Sequence, residues 1–596
     1  MGCGGTTPTT LRTVPQLLEL LAIATAMASS LRLGAEAVAS ATRPTVPLQQ
    51  PSHPASRGAR RSRAAFTVGA GIFFSRISGF IRSVLLASFF GATGLMDVWV
   101  AASKIPNVIQ NLLGEGTLSA SVIPVYAEFL EEGREEEAGR FAGAVLGILM
   151  AVAGGVALLG MLLAPVLVPV AFFRWDPDKL ALTTIIVQVL FPMTAVLVVS
   201  AWALAILNSH RRFLVSYMAP VAWNGAIIAT LAGVGFGLGW SGRQLLIAAA
   251  WGALVGGILQ FAVQLPYVVP LLKHFHLTLD RTVSGVAEAI RNFVPVVTAR
   301  GVVNIGSLLD VIVAGLLAEG ALAVLGYAQM LYLLPISLFG MAIAASELPE
   351  LSRQRKAPAS EVALQVSAAL ERIHFLLVPS VAAFLLLGDV FIGGLYQRGE
   401  FRATATPVVY AVLAAYALGL LASSGSRVLS SAFYALRDTR TPARMAYLRV
   451  IVSLVVGISL MFPLDRFTSG ELHYGATGLA LGTSVAAWLE YALLRRRLAR
   501  VLGPHGPAPS VRGRVLAAAV VAALVGAASK WALGSSVPLR DGVIAGILGD
   551  SAPWLVQPAL AVSTAFVFGV AYLTVTARLG VGAPLRQLLG REPKDF

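Results

Sequence analysis

Two arginines stand inside an apolar helical stretch, "SRISGFIRSVLLASFFGATGLMD" (75–97). Arg76 and Arg82 should each cost about 2.5–3.5 kcal/mol at the centre of an inserted helix. A guanidinium kept at that cost offers a fixed cation with a planar fork of donors, the chemistry that grips phosphate oxygens in pairs. Further along, Asp97, Lys104, Gln110 and Glu115 enter the next apolar stretch, and Arg300, Asn304 and Asp310 enter a later one. Arg300 and Asn304 are an i,i+4 pair on one helix face, and Asp310 returns to within about 80° of Arg300. Metal chemistry is poorly supplied: seven His and one Cys give no HExxH or CxxC spacing.

The elements that must position these groups are membrane helices. Of 596 residues 57% are hydrophobic and 13% charged, with a mean hydropathy of +0.77. A water-soluble core cannot hide that much apolar surface, so the surplus faces lipid. The sequence therefore reads as an all-α polytopic membrane protein. Fourteen apolar stretches are expected at about 66–91, 95–128, 139–171, 180–208, 213–238, 244–272, 284–318, 321–351, 361–392, 404–435, 442–463, 475–494, 514–534 and 555–577. An even number puts both termini on one side. Lys and Arg crowd the connections on that side, from Arg57, Arg60, Arg61 and Arg63 to Arg495, Arg496 and Arg497, while the opposite connections hold few (Arg174, Lys179, Arg243). Both termini are thus expected to be cytoplasmic. Residues 1–64 read as an N-terminal extension, disordered or upstream of a misassigned start.

Weak internal repetition suggests how the helices group. "ASVIP" (120–124) echoes "ASELP" (345–349), and "LLASFFGATG" (85–94) echoes "VIVAGLLAEG" (311–320). Six spans separate the copies, which implies two lobes inserted in the same direction around a central cleft. The expected division is 65–275 for the first lobe, 276–500 for the second, and 501–596 for two appended helices and a tail. A wet cleft would keep an intramembrane arginine hydrated. Arg76 and Arg82 lie about 240° apart on an ideal helix, so either a broad cleft reaches both or one of them snorkels from a helix end.

The stretch 75–129, continued by "YAQMLYLLPISLFGMAIAASELPELS" (327–352) and "FYALRDTRTP" (433–442), resembles the MurJ/MviN lipid II flippases of the MOP exporter superfamily. The resemblance covers about 66–500 closely. It implies two six-helix lobes plus two C-terminal helices, and alternating access. The implied activity is not enzymatic: it flips undecaprenyl-pyrophosphate-linked peptidoglycan precursor, lipid II, from the cytoplasmic to the periplasmic leaflet of the bacterial inner membrane. It implies functional roles at Arg76, Arg82 and Asp97, and a monovalent cation site (Na⁺ or H⁺) at Asp310 and Asp438, with membrane potential as the other source of drive. Lys104, Gln110, Glu115, Arg300 and Asn304 complete the expected substrate-binding set; no cofactor is expected. The protein is expected to be monomeric, with cell-wall synthesis machinery as a potential associate. The chain departs from the family pattern at Gln110 and Met330, where arginines are usual. That departure keeps open an exporter of another lipid-linked oligosaccharide or of a small organic cation. A polyprenyl-phosphate glycosyltransferase would need a soluble donor-binding domain that the short connections do not provide; a scaffold that keeps the fold without transporting is a third class, and it should tolerate Arg76→Ala where an arginine-dependent flippase should fail.

Overall fold

The computed structural model describes residues 54–340, 343, 358–536, 539–540, 542–549 and 551–581. Helices follow in the order α1 Pro54–Phe90, α2 Gly94–Leu113, α3 Glu115–Ser121, α4 Ile123–Glu131, α5 Glu135–Ala171, α6 Pro177–Ser209, α7 Phe213–Thr230, α8 Gly242–Val268, α9 Val286–Ala314, α10 Ala321–Pro335, α11 Ala359–Tyr396, α12 Ala405–Ala435, α13 Arg440–Leu464, α14 Gly475–Leu502, α15 Pro509–Leu533, α16 Val543–Leu548 and α17 Pro553–Arg578. α7 and α10 each continue into a π-helical turn, Leu231–Gly237 and Ile336–Gly340. Two-residue antiparallel strand pairs, Thr468–Ser469 with Leu472–His473 and Ser535–Ser536 with Leu539–Arg540, are the strands among the described residues.

Among the described residues twelve helical segments are long and apolar enough to cross a membrane, which makes the chain a multi-pass membrane protein. The two expected spans outside that set are the second and the seventh. Both are helical, but α2 carries Asp97 and Lys104, and α9 carries Glu288, Arg291, Arg300 and Asp310, so neither reaches the same apolarity. The expected count of fourteen thus rests on the two helices that carry most of the candidate site. The second span also differs in shape. Instead of one helix over 95–128 the chain breaks at Gly114, which is extended, and again at Val122, just before Pro124. A glycine without a side chain to pack and a proline without an N–H make those two positions the weakest links of the backbone ladder. The first helix starts earlier than expected, at Pro54. The "ASELP" copy of the repeat lies outside the described residues.

A large apolar core runs from Leu85 to Leu502 and joins residues of both halves. A second cluster, from Leu118 to Ala289, draws the start of α9 onto α3–α6 and so crosses the boundary expected at 275/276. Helix contact in lipid is won by close backbone approach rather than by the hydrophobic effect. On α14 a Cβ at Gly478 or Gly482 would collide with the α13 backbone at Met461 and Gly457. The C-terminal helices dock on α11. There Lys530 Nζ meets the buried Asp389 carboxylate at 2.7 Å, and Tyr572 donates its hydroxyl to the Phe375 carbonyl at 2.6 Å. Outward faces carry exposed apolar side chains, such as Leu159, Leu162 and Val166 on α5 and Val562 and Phe566 on α17, as lipid contact requires.

Candidate functional site

At one end of the bundle the two echoed turns of the sequence, 85–94 and 311–320, meet and form a clasp. α1 ends at Gly91, whose φ of +56° suits glycine and whose missing side chain leaves room for the Glu400 carbonyl. Glu400 N donates to the Ser88 carbonyl at 2.8 Å, and Tyr327 donates its hydroxyl to the Gly91 carbonyl at 2.7 Å. Glu319 Oε1 accepts from Gly94 N at 2.8 Å.

Asp97 lies at the centre of this clasp. It is 2% exposed, and its carboxylate accepts from Gly320 N (2.8 Å), Ala323 N (2.9 Å) and Lys179 Nζ (2.9 Å). Gly320 precedes α10 and has no side chain to cap the helix, so Asp97 caps it from across the molecule, where the free N–H groups and the helix dipole favour an anion. Lys179 is held in turn over the Trp175 ring, 4.2 Å from its centroid, and Trp175 Nε1 donates to the Gly315 carbonyl at 3.0 Å. Expected as part of a substrate site, Asp97 is here fully engaged in closing one end of the molecule.

Beyond the clasp lies a polar cavity of about 1100 Å³, lined among others by Gln110, Asn111, Glu115, Ser200, Trp223, Gln260 and Arg300. Arg82 reaches its wall. The guanidinium stacks over the Trp223 ring at 4.7 Å and donates Nη1 to Asn224 Oδ1 at 2.9 Å, while its buried Nε has no partner. Asn224 is fixed by donating to Ser78 Oγ at 2.9 Å, so α1 and α7 hold the arginine jointly. Arg76 takes no part in this wall: it is exposed, beside exposed Phe73, Phe74 and Ile77, and bonds to none of the described residues. The 240° rotation between the two arginines thus brings only one of them to α7.

In the same cavity the Arg300 guanidinium lies against Gly116, where any Cβ would overlap it, and within electrostatic reach of Glu115. Asn304 Oδ1 accepts from Asn111 Nδ2 at 3.1 Å, and Asn304 donates to the Arg300 carbonyl at 2.9 Å. The pairing of α9 with α2 and α3 brings Gln110, Glu115, Arg300 and Asn304 near one another. Lys104 and Asp310 share a separate smaller pocket of about 460 Å³ with Gln329, Tyr416 and Thr483. Asp438 is elsewhere. Its Oδ1 accepts from Arg440 N (3.0 Å) and Thr441 N (2.9 Å), an N-terminal cap for α13, so the structure does not bring Asp310 and Asp438 together. Met330, at a position where the family pattern has an arginine, touches Ser83 Oγ through its sulfur at 3.9 Å.

The cavity sits where the second helical stretch breaks at Gly114 and carries both Glu115 and Arg300; comparison with known proteins decides the family. The family profile described as "Lipid II flippase MurJ" matches residues 86–544. The chain belongs to the MurJ lipid II flippase family. Relatives in that family include a probable lipid II flippase MurJ of Rhizobium tropici, 32% identical over 436 residues, which are 71% of this chain and 78% of that one. Another, of Rhizobium meliloti (strain 1021), is 30% identical over 519 residues, 85% of this chain and 93% of its own length. Among solved structures, "Lipid II flippase MurJ, inward closed conformation" superposes with a TM-score of 0.67 at 20% identity, covering 86% of this chain and 99% of that one. An inward-facing MATE transporter of the MOP superfamily superposes at 0.60 with 15% identity, over 72% and 95%. These establish the MOP exporter fold, and the MurJ family members are transporters, not enzymes.

Several residues of the site escaped the sequence reading. Lys179 reads in the sequence as a loop charge, and nothing local marks Trp223 or Asn224 within their span. Arg427, Arg449 and Glu490 also stand within helices, where a charge in mid-span is itself a signal.

Proposed function

We propose that the chain carries lipid II from the cytoplasmic to the periplasmic leaflet by alternating access. The observation that carries this reading is Arg82, held by Asn224 and stacked on Trp223, which lines a polar cavity together with Arg300. A diphosphate with a sugar and peptide head cannot cross hydrocarbon, because its ionised and hydroxylated groups would lose their hydration. The polyprenyl tail has no need to leave lipid. Guanidinium groups in a wet cavity replace the lost hydration with bidentate contacts.

With both termini cytoplasmic, as the Lys and Arg distribution supports, the Asp97 clasp lies on the periplasmic side and its release opens the outward path. The contact of Arg300 with Gly116 and the Asn111–Asn304 bond then lie toward the cytoplasmic mouth. An inside-negative potential, about 2.3 kcal/mol per charge per 100 mV, favours expelling an anion and admitting a cation. Asp310, next to Lys104, is the carboxylate we assign to any coupling cation, Na⁺ or H⁺; Asp438 serves as a helix cap.

Gln110 and Met330 favour a second reading, export of another lipid-linked oligosaccharide. Rescue of cells depleted of their own flippase tests the first: the wild type should restore growth and Arg82→Ala should not. Rescue by Arg82→Ala equal to the wild type would refute it. Failure of the wild type, together with export of a different polyprenyl-linked oligosaccharide, would favour the second.

A further inference from the structure

Arg427 interrupts a run of buried residues on α12: residues 422–426 and 428–429 are buried, and Arg427 alone among them is exposed. Its direction follows from helix geometry. It is nine residues from Leu418, about 180° around the helix, and Leu418 belongs to the outer face, where its carbonyl accepts from the exposed Trp488. It is eleven residues from Tyr416 and four from Ser423, about 20° and 40° away. Tyr416 accepts from Gln329 Nε2 at 3.2 Å, and Ser423 accepts from the Tyr332 hydroxyl at 3.2 Å; both partners are on α10. Arg427 therefore points inward with these hydroxyls, away from lipid.

A second guanidinium comes to the same place from α13. Arg449 Nη2 donates to Ser423 Oγ at 3.2 Å, and its Nη1 meets Glu490 Oε2 at 2.9 Å. Arg427 is within electrostatic reach of Arg449, Tyr332 and Glu490, and Asp310 is within reach of Arg449. Glu490 is taken by Arg449, so Arg427 forms no ion pair with any described residue. Two like charges a short distance apart in a low-dielectric protein repel unless an anion lies between them.

We propose that Arg427 and Arg449 form a second anion-binding station, on the wall built by α10, α12 and α13, for a phosphate group of the cargo. The station restores to the second half of the chain the cationic character absent at Met330. It rests on the reading that the cargo is a polyprenyl diphosphate, and it adds a further cationic grip to those of Arg82 on the first half and Arg300 on the second.

The test is binding to the full-length protein in zwitterionic nanodiscs, with undecaprenyl diphosphate, inorganic pyrophosphate and the neutral undecaprenol as probes. Arg427 holds no bond to the described residues, so Arg427→Gln should leave the unfolding temperature unchanged. It should weaken undecaprenyl diphosphate binding about tenfold, and Arg427→Lys should recover most of the affinity, as for a charge-assisted contact to phosphate. A parallel loss of inorganic pyrophosphate would assign the station to any diphosphate, and a loss confined to the lipid would assign it to the membrane-borne headgroup. Wild-type affinity for both anions in Arg427→Gln and in folded Arg449→Gln, alongside lost binding in Arg82→Gln, would overturn the station while sparing the transport reading. Equal wild-type affinity for undecaprenyl diphosphate and undecaprenol would instead overturn the transport reading itself.

Discussion

The carboxylate of Asp97 on α2 accepts the backbone N–H of Ala323 on α10 at 2.9 Å, a helix cap supplied by a residue 226 positions away in sequence. Because α2 and α10 come from different halves, this bond exists only while that end of the molecule is shut. Replacing Asp97 with Ala leaves Lys179 without its carboxylate in a nearly dry site, and breaking such a pair costs about 3–5 kcal/mol. Asp97→Ala should therefore shift the population toward the open state at this end, read as a longer spin-label distance across the clasp. An unchanged distance distribution would show that the cap does not control closure.

The clasp also offers a covalent test. Glu400 N lies 2.8 Å from the Ser88 carbonyl, so cysteines at these two positions, in a chain whose single native Cys3 is replaced by Ser, should form a disulfide. Oxidation should stop transport and reductant should restore it. Transport that continues with the bond fully formed would exclude alternating access through this end.

In the cavity the Arg300 guanidinium occupies the space where a side chain on Gly116 would stand. Gly116→Val should displace the arginine, a flexible group, at little cost in stability, and lower transport by at least about tenfold if one charge-assisted phosphate contact is lost. Normal transport in a folded Gly116→Val protein would remove Arg300 from the substrate path.

Asp438 carries the pH prediction. The Thr441 hydroxyl and the Thr441 and Arg440 N–H groups hold its carboxyl below the usual range. A folded-state pKa lower than the unfolded value of about 3.9 means that the cap stabilises α13 above that pH and is lost as pH falls through the folded value. Asp438→Ala should cost about 1 kcal/mol of local stability near neutrality. Hydrogen exchange in the first turn of α13 should show this difference shrinking as the pH falls below about 4. A difference that persists in acid would contradict the assignment as a cap.

Much of this architecture is legible in the sequence, for identifiable reasons. Long apolar stretches set off by charged connections mark the membrane helices, because lipid tolerates little else. The cost of an intramembrane charge singles out Arg76, Arg82 and Arg300 before any coordinates. What the sequence hides is partnership. Nothing local to Asp97 says that it caps a helix more than 200 residues away, and nothing near Lys179 marks it as the cap's counter-charge. Helical angle alone separates Arg76 from Arg82 but does not say which of them faces α7; Asn224 and Trp223 decide that. Gly114 and Gly116 suggest a loosened helix, whereas the full break at Gly114 and the seat for Arg300 depend on where α9 packs. Asp438 and Asp310 share a residue type and an expected role, and the fold sets them in different places.

The central claim is that the Arg82 guanidinium grips the diphosphate of a lipid-linked cargo during its passage. Its most direct test is the rate at which fluorescent lipid II changes leaflets in proteoliposomes holding either the wild type or Arg82→Ala at equal density. The account predicts rapid exchange for the wild type, background exchange for Arg82→Ala, and partial recovery for Arg82→Lys. A folded Arg82→Ala protein that moves lipid II at the wild-type rate would contradict it.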